Sequence, residues 1–165
     1  MIQFRMAVEA DLEAIRQIYN EAIANTTAVY EYEPFTTAYM QQWFSEKRSH
    51  NFPVIVAVSG ENVAGFATYG IFRSRAAYFR TMEHSVYVHP GFRRQGIGRA
   101  LLRQIEQTAS ANKVHVLVGG IDAENELSIN LHLDEGFKIA GKIHQAAWKF
   151  DRWLDLVFVE KMLLP

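Results

Sequence analysis

The chain has 165 residues, 49% hydrophobic and 21% charged, with a formal net charge of -1. It is long enough for one domain with its own core, too close to neutral for a general nucleic-acid binder, and has no apolar run near the roughly 20 residues that a membrane helix needs. It contains no cysteine, which excludes disulfides, thiolate nucleophiles and zinc-thiolate sites together.

The opening MIQFRMAVEADLEAI lacks a basic segment followed by a long apolar core, so the expected location is the cytoplasm. Residues 2–6 read as a short strand, and Leu12, Ile15, Ile18, Tyr19, Ala22 and Ile23 then repeat at helical spacing behind Asp11, a favourable N-cap. The stretch AVYEYEPFT (28–36) is loop-like around Pro34, and Thr36 or Thr37 can cap a second helix carrying Tyr39, Met40, Trp43 and Phe44. Residues 53–58 and 63–69, joined by Ser59-Gly60-Glu61-Asn62, predict a hairpin; residues 81–89 predict a further strand. Ile97, Ala100, Leu101, Ile105 and Ala109 mark one face of a helix, and the β-branched run from Val114 to Val118 reads as the next strand. A shorter helix runs from about Asn125 towards Gly136 as its C′ residue, and residues 137–163 alternate as a long hairpin. This order predicts a mixed α/β sheet in one layered domain, 1–165, without repeats or linkers.

Between the strand and helix that flank it, HPGFRRQGIGRALL (89–102) sets Gly96 and Gly98 among Arg93, Arg94 and Arg99. Glycines let backbone N–H groups converge on an anion, and the following helix adds the positive end of its dipole, so the turn suits a phosphate. It is not a P-loop, because Arg99 and Ala100 follow Gly98 where Lys and Ser or Thr are needed. Nor is it a dinucleotide fingerprint, since Leu101 stands where a third Gly or Ala belongs. From Arg73 to Arg103 there are seven arginines, no lysine and one acid, Glu83. Such a segment suits small phosphorylated or carboxylated ligands through bidentate guanidinium bonds, while each arginine alone reads equally as solvated surface.

The strand Ser85-Val86-Tyr87-Val88 followed by Arg93-x-x-Gly96-x-Gly98 opening a helix resembles the acetyl-CoA motif of the GNAT superfamily of N-acetyltransferases. The stretches YEYEPFT (30–36), RSRAAY (73–78), TMEHSVYV (81–88), NELSINLH (125–132) with EGF (135–137), and WKFDRWLDLVFVEKML (148–163) narrow this to the phosphinothricin N-acetyltransferase group. That group includes enzymes acting on methionine sulfoximine and methionine sulfone. The resemblance covers nearly the whole chain, and it implies a mixed central sheet splayed at the cofactor site with helices on both faces.

It also implies roles for particular residues. The backbone of Arg94, Gln95, Gly96, Ile97, Gly98 and Arg99 would wrap the pyrophosphate of acetyl-CoA, with Gly96 and Gly98 required by torsion or by close approach. The side chains of Arg93, Arg94 and Arg99 either reach the phosphates or merely flank the turn. Val86, Tyr87 and Val88 would bond the pantetheine arm as a neighbouring strand would, Asn125 would add an amide contact or serve as an N-cap, and Asp134 stands at a cofactor-side position where relatives often have a basic or polar residue. An amine must lose a proton before it attacks a thioester. Glu83 matches the family's general base, its alternative being an ion pair with Arg75 or Arg80; Glu33 would assist it or be solvated in its loop. His132 stands where relatives protonate the departing thiolate or orient substrate. Arg73 and Arg75 would hold the substrate's acidic group, with Ser74, Tyr78, His84 and Ser85 lining the pocket. His84 also reads as structural, as do His89, His115 and His144, and no metal-ligand spacing is present. The implied protein is a homodimer acting on a small amino acid-like amine, with neither nucleic acid nor membrane as partner. Acetylation of a protein N-terminus or lysine, and a non-catalytic acyl-CoA-binding module, remain the alternatives.

Overall fold

In the computed structural model, which describes residues 1–163, the chain runs β1 (Ile2–Met6), α1 (Leu12–Asn25), α2 (Thr37–Ser49), β2 (Val54–Ser59), β3 (Asn62–Ile71), β4 (Thr81–Val88), α3 (Ile97–Ala111), β5 (Val116–Asp122), α4 (Glu126–Asp134), β6 (Lys138–Lys149) and β7 (Arg152–Met162). The strands form one seven-stranded sheet in the order β1-β2-β3-β4-β5-β7-β6. Every neighbouring pair is antiparallel except β4 with β5. No helix of the described residues is long and apolar enough to cross a membrane.

Two cores hold the helices to opposite faces. On one, Leu101, Leu102 and Ile105 of α3 pack on Ile55, Ala57, Ala67 and Met82. On the other, Ile15, Ile18 and Tyr19 of α1 and Met40 and Phe44 of α2 pack on Val54, Val56 and Phe66. Each fully buried Leu, Ile or Phe contributes roughly 1.5–3 kcal/mol, so these stripes, more than helix propensity, hold the helices. Along β4 the two-residue alternation puts Val86 and Val88 in the α3 core and Tyr87 in the α1–α2 core. It therefore sends His84 to the α3 side and Glu83 and Ser85 to the α1–α2 side.

The helix starts show one cap as expected and one displaced. Thr36 accepts a 3.1 Å bond from the Tyr39 N–H and begins α2. Asp11 makes no such bond to α1. A 3-10 turn, Glu9–Asp11, precedes that helix, and the Asp11 carboxylate instead takes two bonds from Arg5 at 2.7 and 2.9 Å and one from the Val8 N–H at 2.8 Å. The guanidinium holds this buried carboxyl below the usual range. The predicted strand at Val114 to Val118 is also displaced, to 116–122. The Val114 N–H still bonds the Ala109 carbonyl at the end of α3, so β5 cannot begin there. At its far end β5 runs on because β7 pairs with it residue by residue up to Asp122↔Leu156.

Candidate active site: a splayed strand pair and a left-handed turn

Parallel pairing of β4 with β5 covers only Thr81↔Val116, Met82↔Leu117 and Glu83↔Val118. Beyond it β4 stays on β3 as far as Gly65↔Val88, and β5 stays on β7, so the two strands part between them. The gap is a cleft of about 80 Å³ lined by Ala28, residues 84–87 and 119–122, Asn125, Ser128 and His132. Facing strand edges that have lost each other can take an extended ligand as a further strand. Val86, Tyr87 and Val88 thus lie on an edge of the required kind. At the start of α4, the Asn125 side-chain oxygen accepts the Ser128 N–H at 3.1 Å, which leaves the amide NH₂ free of the capping bond.

The turn after β4 delivers the chain into α3 through two left-handed residues, Arg94 (φ 63) and Gly96 (φ 76). Gly96 is required by that torsion, which a Cβ disfavours. Gly98 lies inside α3, and an added Cβ would meet Val88 and Leu131 at the ordinary distances of 3.6 and 3.7 Å. Torsion therefore does not demand glycine at 98, which lies between Val88 at the end of β4 and Leu131 of α4. The first helical bond runs from the Ala100 N–H to the Gly96 carbonyl, leaving the N–H groups of Ile97, Gly98 and Arg99 at the positive end of the helix.

Two of the three flanking arginines are already engaged. Arg93 pairs with Glu21 at 3.0 Å. Arg99 pairs with Asp134 at 2.9 Å and with Glu135 at 2.6 Å, so the guanidinium and the Asp134 carboxylate neutralise each other. Arg94 has no carboxylate partner among the described residues.

Glu83 is half-buried where the pairing ends. Among the described residues its carboxylate makes neither an ion pair with Arg75 or Arg80 nor a side-chain hydrogen bond, and burial pushes its pKa up. A half-buried acid left without a cation holds a proton more readily than a surface glutamate, which is the property a proton acceptor needs near neutral pH.

On the opposite face His84 and His132 are both buried, with their Nε2 atoms 2.9 Å apart. His132 Nδ1 lies 2.7 Å from the Ser128 carbonyl oxygen. A carbonyl only accepts, so Nδ1 of His132 carries the proton and its Nε2 accepts from Nε2–H of His84. Burial lowers the pKa of both rings, with His132 adding to the effect at His84, which is brought down to about 3. The Nδ1 proton of His132 is thus engaged with the Ser128 carbonyl, and its Nε2 faces His84. His84 Nδ1 is left buried without a partner.

The remaining sequence-derived positions lie around this centre. Arg73, Ser74, Arg75 and Tyr78 are exposed on the connection entering β4, the end of the strand nearer Glu83. Arg73 stacks over Phe72, and Tyr78 meets the same ring edge-on. Glu33 is exposed on its loop and does not line the cleft.

Other contributors are not singled out by sequence. Tyr30 donates to the buried Asp122 at 2.6 Å, and Lys149 donates to the carbonyls of Thr26 and Val29 at 2.9 and 2.7 Å, tying the 26–36 loop to β5 and to the β6–β7 hairpin. The consecutive Gly119 and Gly120 sit where β5 leaves β4. A glycine pair inside a β-branched run is itself a sign of close approach, and it is legible in VLVGGID.

A family model described as the acetyltransferase (GNAT) family matches residues 13–137. The chain belongs to this family. It is 42% identical over 163 residues to an L-methionine sulfoximine/L-methionine sulfone acetyltransferase of Pseudomonas aeruginosa, the match covering 98% of this chain and 94% of that one. A phosphinothricin N-acetyltransferase of Streptomyces coelicolor is 30% identical over 165 residues, with coverage of 98% and 96%. Among solved structures, a putative acetyltransferase from Salmonella typhimurium with its cofactor acetyl-CoA superposes with a TM-score of 0.97 at 36% identity, covering 100% of this chain and 95% of that one. The GNAT fold anticipated from the glycine turn is thus the fold of this chain, splay included.

Proposed function

We propose that this protein is an acetyl-CoA-dependent N-acetyltransferase acting on the amino group of a small amino acid of the methionine sulfoximine, methionine sulfone or phosphinothricin type. The observation that carries the reading is Glu83, a half-buried carboxylate without a cation, set where β4 leaves β5. Names of relatives support the substrate class, and the acetyl-CoA complex of a structural neighbour supports the cosubstrate. Acetyl-CoA supplies an activated acetyl group as a thioester. The residues fit it: the open edge of Val86 to Val88 suits the pantetheine arm, the left-handed turn and the free N–H groups at the start of α3 suit the pyrophosphate, and Asn125 retains an amide donor.

Glu83 takes the proton of the substrate ammonium, directly or through water, and the neutral amine is then the nucleophile. The N–H groups of the open β4 edge favour negative charge on the acyl oxygen. Transfer would be direct, since no cysteine is present to carry the acetyl group: the amine nitrogen would bond the acyl carbon as the carbon–sulfur bond breaks, and the CoA thiolate would leave as the thiol, taking up a proton equivalent to the one the amine gave up. His132 and His84 wall the cleft and hold its shape; Arg99 and Asp134 secure the turn to α4. Glu33, exposed on its loop outside the cleft lining, is the acid that would assist if the substrate extends to that loop.

Arg73 and Arg75 bind the substrate's carboxylate and second acidic or polar group, with Ser74, Tyr78 and Ser85 beside them. Arg75→Ala should weaken such substrates by about 1.5–3 kcal/mol, the usual worth of a hydrogen bond to a charged group, without changing the KM for acetyl-CoA. Thiol release measured against methionine sulfone, phosphinothricin, simple amines and a peptide N-terminus tests the whole reading. Turnover of the peptide that survives Arg75→Ala would leave the acetyltransferase activity and remove the small-acid assignment. Binding of acetyl-CoA with no turnover on any amine would instead favour a carrier module.

The protein acts as a single catalytic domain over residues 1–165 in the cytoplasm, as a homodimer. Exposed Ile139, Trp148 and Trp153, which the register of the β6–β7 hairpin puts on one side of the sheet, give an apolar face suited to a second copy. Light scattering should return twice the 18.9 kDa chain mass.

A further inference from the structure

We propose that Gly120 is a positioning residue for the reaction: its missing side chain is the seat of the Glu83 carboxylate. Gly119 and Gly120 are the first two residues of β5 after its pairing with β4 ends at Val118. Neither has a positive φ, so their backbone is open to any residue and their being glycine is a matter of space. A Cβ on Gly119 would lie 2.9 Å from Cε1 of His84 and 3.1 Å from Cγ2 of Val159. A Cβ on Gly120 would lie 3.2 Å from Oε1 of Glu83, with Leu156 and Phe158 at the ordinary distances of 3.5 and 3.8 Å. The two glycines thus receive the two consecutive β4 side chains, one on each face of the sheet. A Cβ on Gly141, by contrast, would meet nothing within 4 Å, which makes that glycine of the same sheet a control.

Glu83 has no protein hydrogen bond or ion pair of its side chain among the described residues, so the floor beneath the carboxylate does what a bonding partner would otherwise do. A proton acceptor must sit within hydrogen-bond reach of the proton it takes; a Cβ at 3.2 Å makes the carboxylate give by a few tenths of an ångström, part of the shift of about 1 Å that costs on the order of a hundredfold in rate. An alanine methyl at 120 crowds one group tightly, and that group is the acid. It also removes water from the carboxylate, which raises its pKa further. The inference rests on Glu83 being the base.

The experiment compares wild type, G120A, E83Q, E83Q/G120A and the control G141A by steady-state kinetics across pH. G120A should lower kcat about tenfold or more and move the acid limb of the pH profile to higher pH, with the KM for acetyl-CoA within about twofold of wild type. G141A should change nothing. Because Gly120 acts through Glu83, G120A should cost no further activity in the E83Q background. A wild-type rate and pH profile in G120A, or losses that multiply in the double variant, would overturn the proposal. Near-normal activity of E83Q would remove the base, and the proposal with it, whatever G120A does. Should G120A melt early, E83D/G120A decides: the shorter acid withdraws from the methyl and restores the melting midpoint if the crowding is with Glu83, and an unrestored midpoint refutes it.

Discussion

Glu83→Gln should lower turnover by roughly 10²- to 10⁴-fold at neutral pH, the span that general-base catalysis supplies, while the affinity for acetyl-CoA stays nearly intact. Glutamine keeps the shape of the side chain and loses its basicity, so the loss falls on kcat. Wild-type activity should rise with pH as Glu83 ionises, on a limb above the usual glutamate value of about 4.3 because burial raises its pKa. That limb should vanish in the variant. The same substitution should stabilise the fold. A carboxyl whose folded pKa is raised binds its proton more tightly in the folded state, so stability is lost as pH climbs through the interval between the unfolded and folded values. Above it the native chain carries a buried, unpaired charge that glutamine lacks. At neutral pH the melting midpoint of the variant should exceed that of wild type, by about 2–4 °C for each kcal/mol recovered, and the difference should shrink in acid. A variant with a near-normal rate and an unmoved limb would place the base elsewhere, with Glu33 the next acid to replace.

Gly98→Val should raise the KM for acetyl-CoA by about tenfold or more, equivalent to at least 1.4 kcal/mol of binding, in a protein that still folds. The backbone at 98 is helical and valine is a better helix former than glycine, so the local conformation tolerates the change. A Cβ there already rests in contact with Val88 and Leu131, so the two valine methyls must press on them or project past them. Gly96→Val separates the two glycine roles. Its φ of +76 lies in the left-handed region, where a β-branched residue is strained, so this variant should lose stability along with cofactor affinity. Isothermal titration with CoA and thermal melts distinguish the cases; unchanged CoA affinity in a folded Gly98→Val protein would argue against the phosphate turn.

How the site is assembled bears on how far a sequence can be read. The apolar spacings of α1 and α3, the threonine cap of α2, the left-handed glycine at the start of α3 and the long final hairpin are all written in windows of a dozen residues or so. Their physics is local: helical and strand periods, a cap, a torsion. The Arg93-x-x-Gly96-x-Gly98 turn after an apolar strand belongs with these, as does the likeness to the acetyltransferase family spread over separated stretches. Partnerships between distant residues are another matter. Asp11 looks like a helix cap until Arg5 is folded across it. Arg99 reads in the sequence as a phosphate ligand or a mere flank of the turn, and only the fold brings Asp134 and Glu135 to it. His132 resembles a proton donor or a substrate contact, and only the fold sets its ring between the Ser128 carbonyl and His84. The sequence alone determines which elements form, in what order, and that a glycine turn meets a helix. The tertiary structure decides that β4 leaves β5 after Glu83, that this acid stands without a cation, and that the arginines around the turn are largely neutralised. Such pairings join residues tens of positions apart, and whether a charge is solvated, paired or stranded depends on what packing puts beside it.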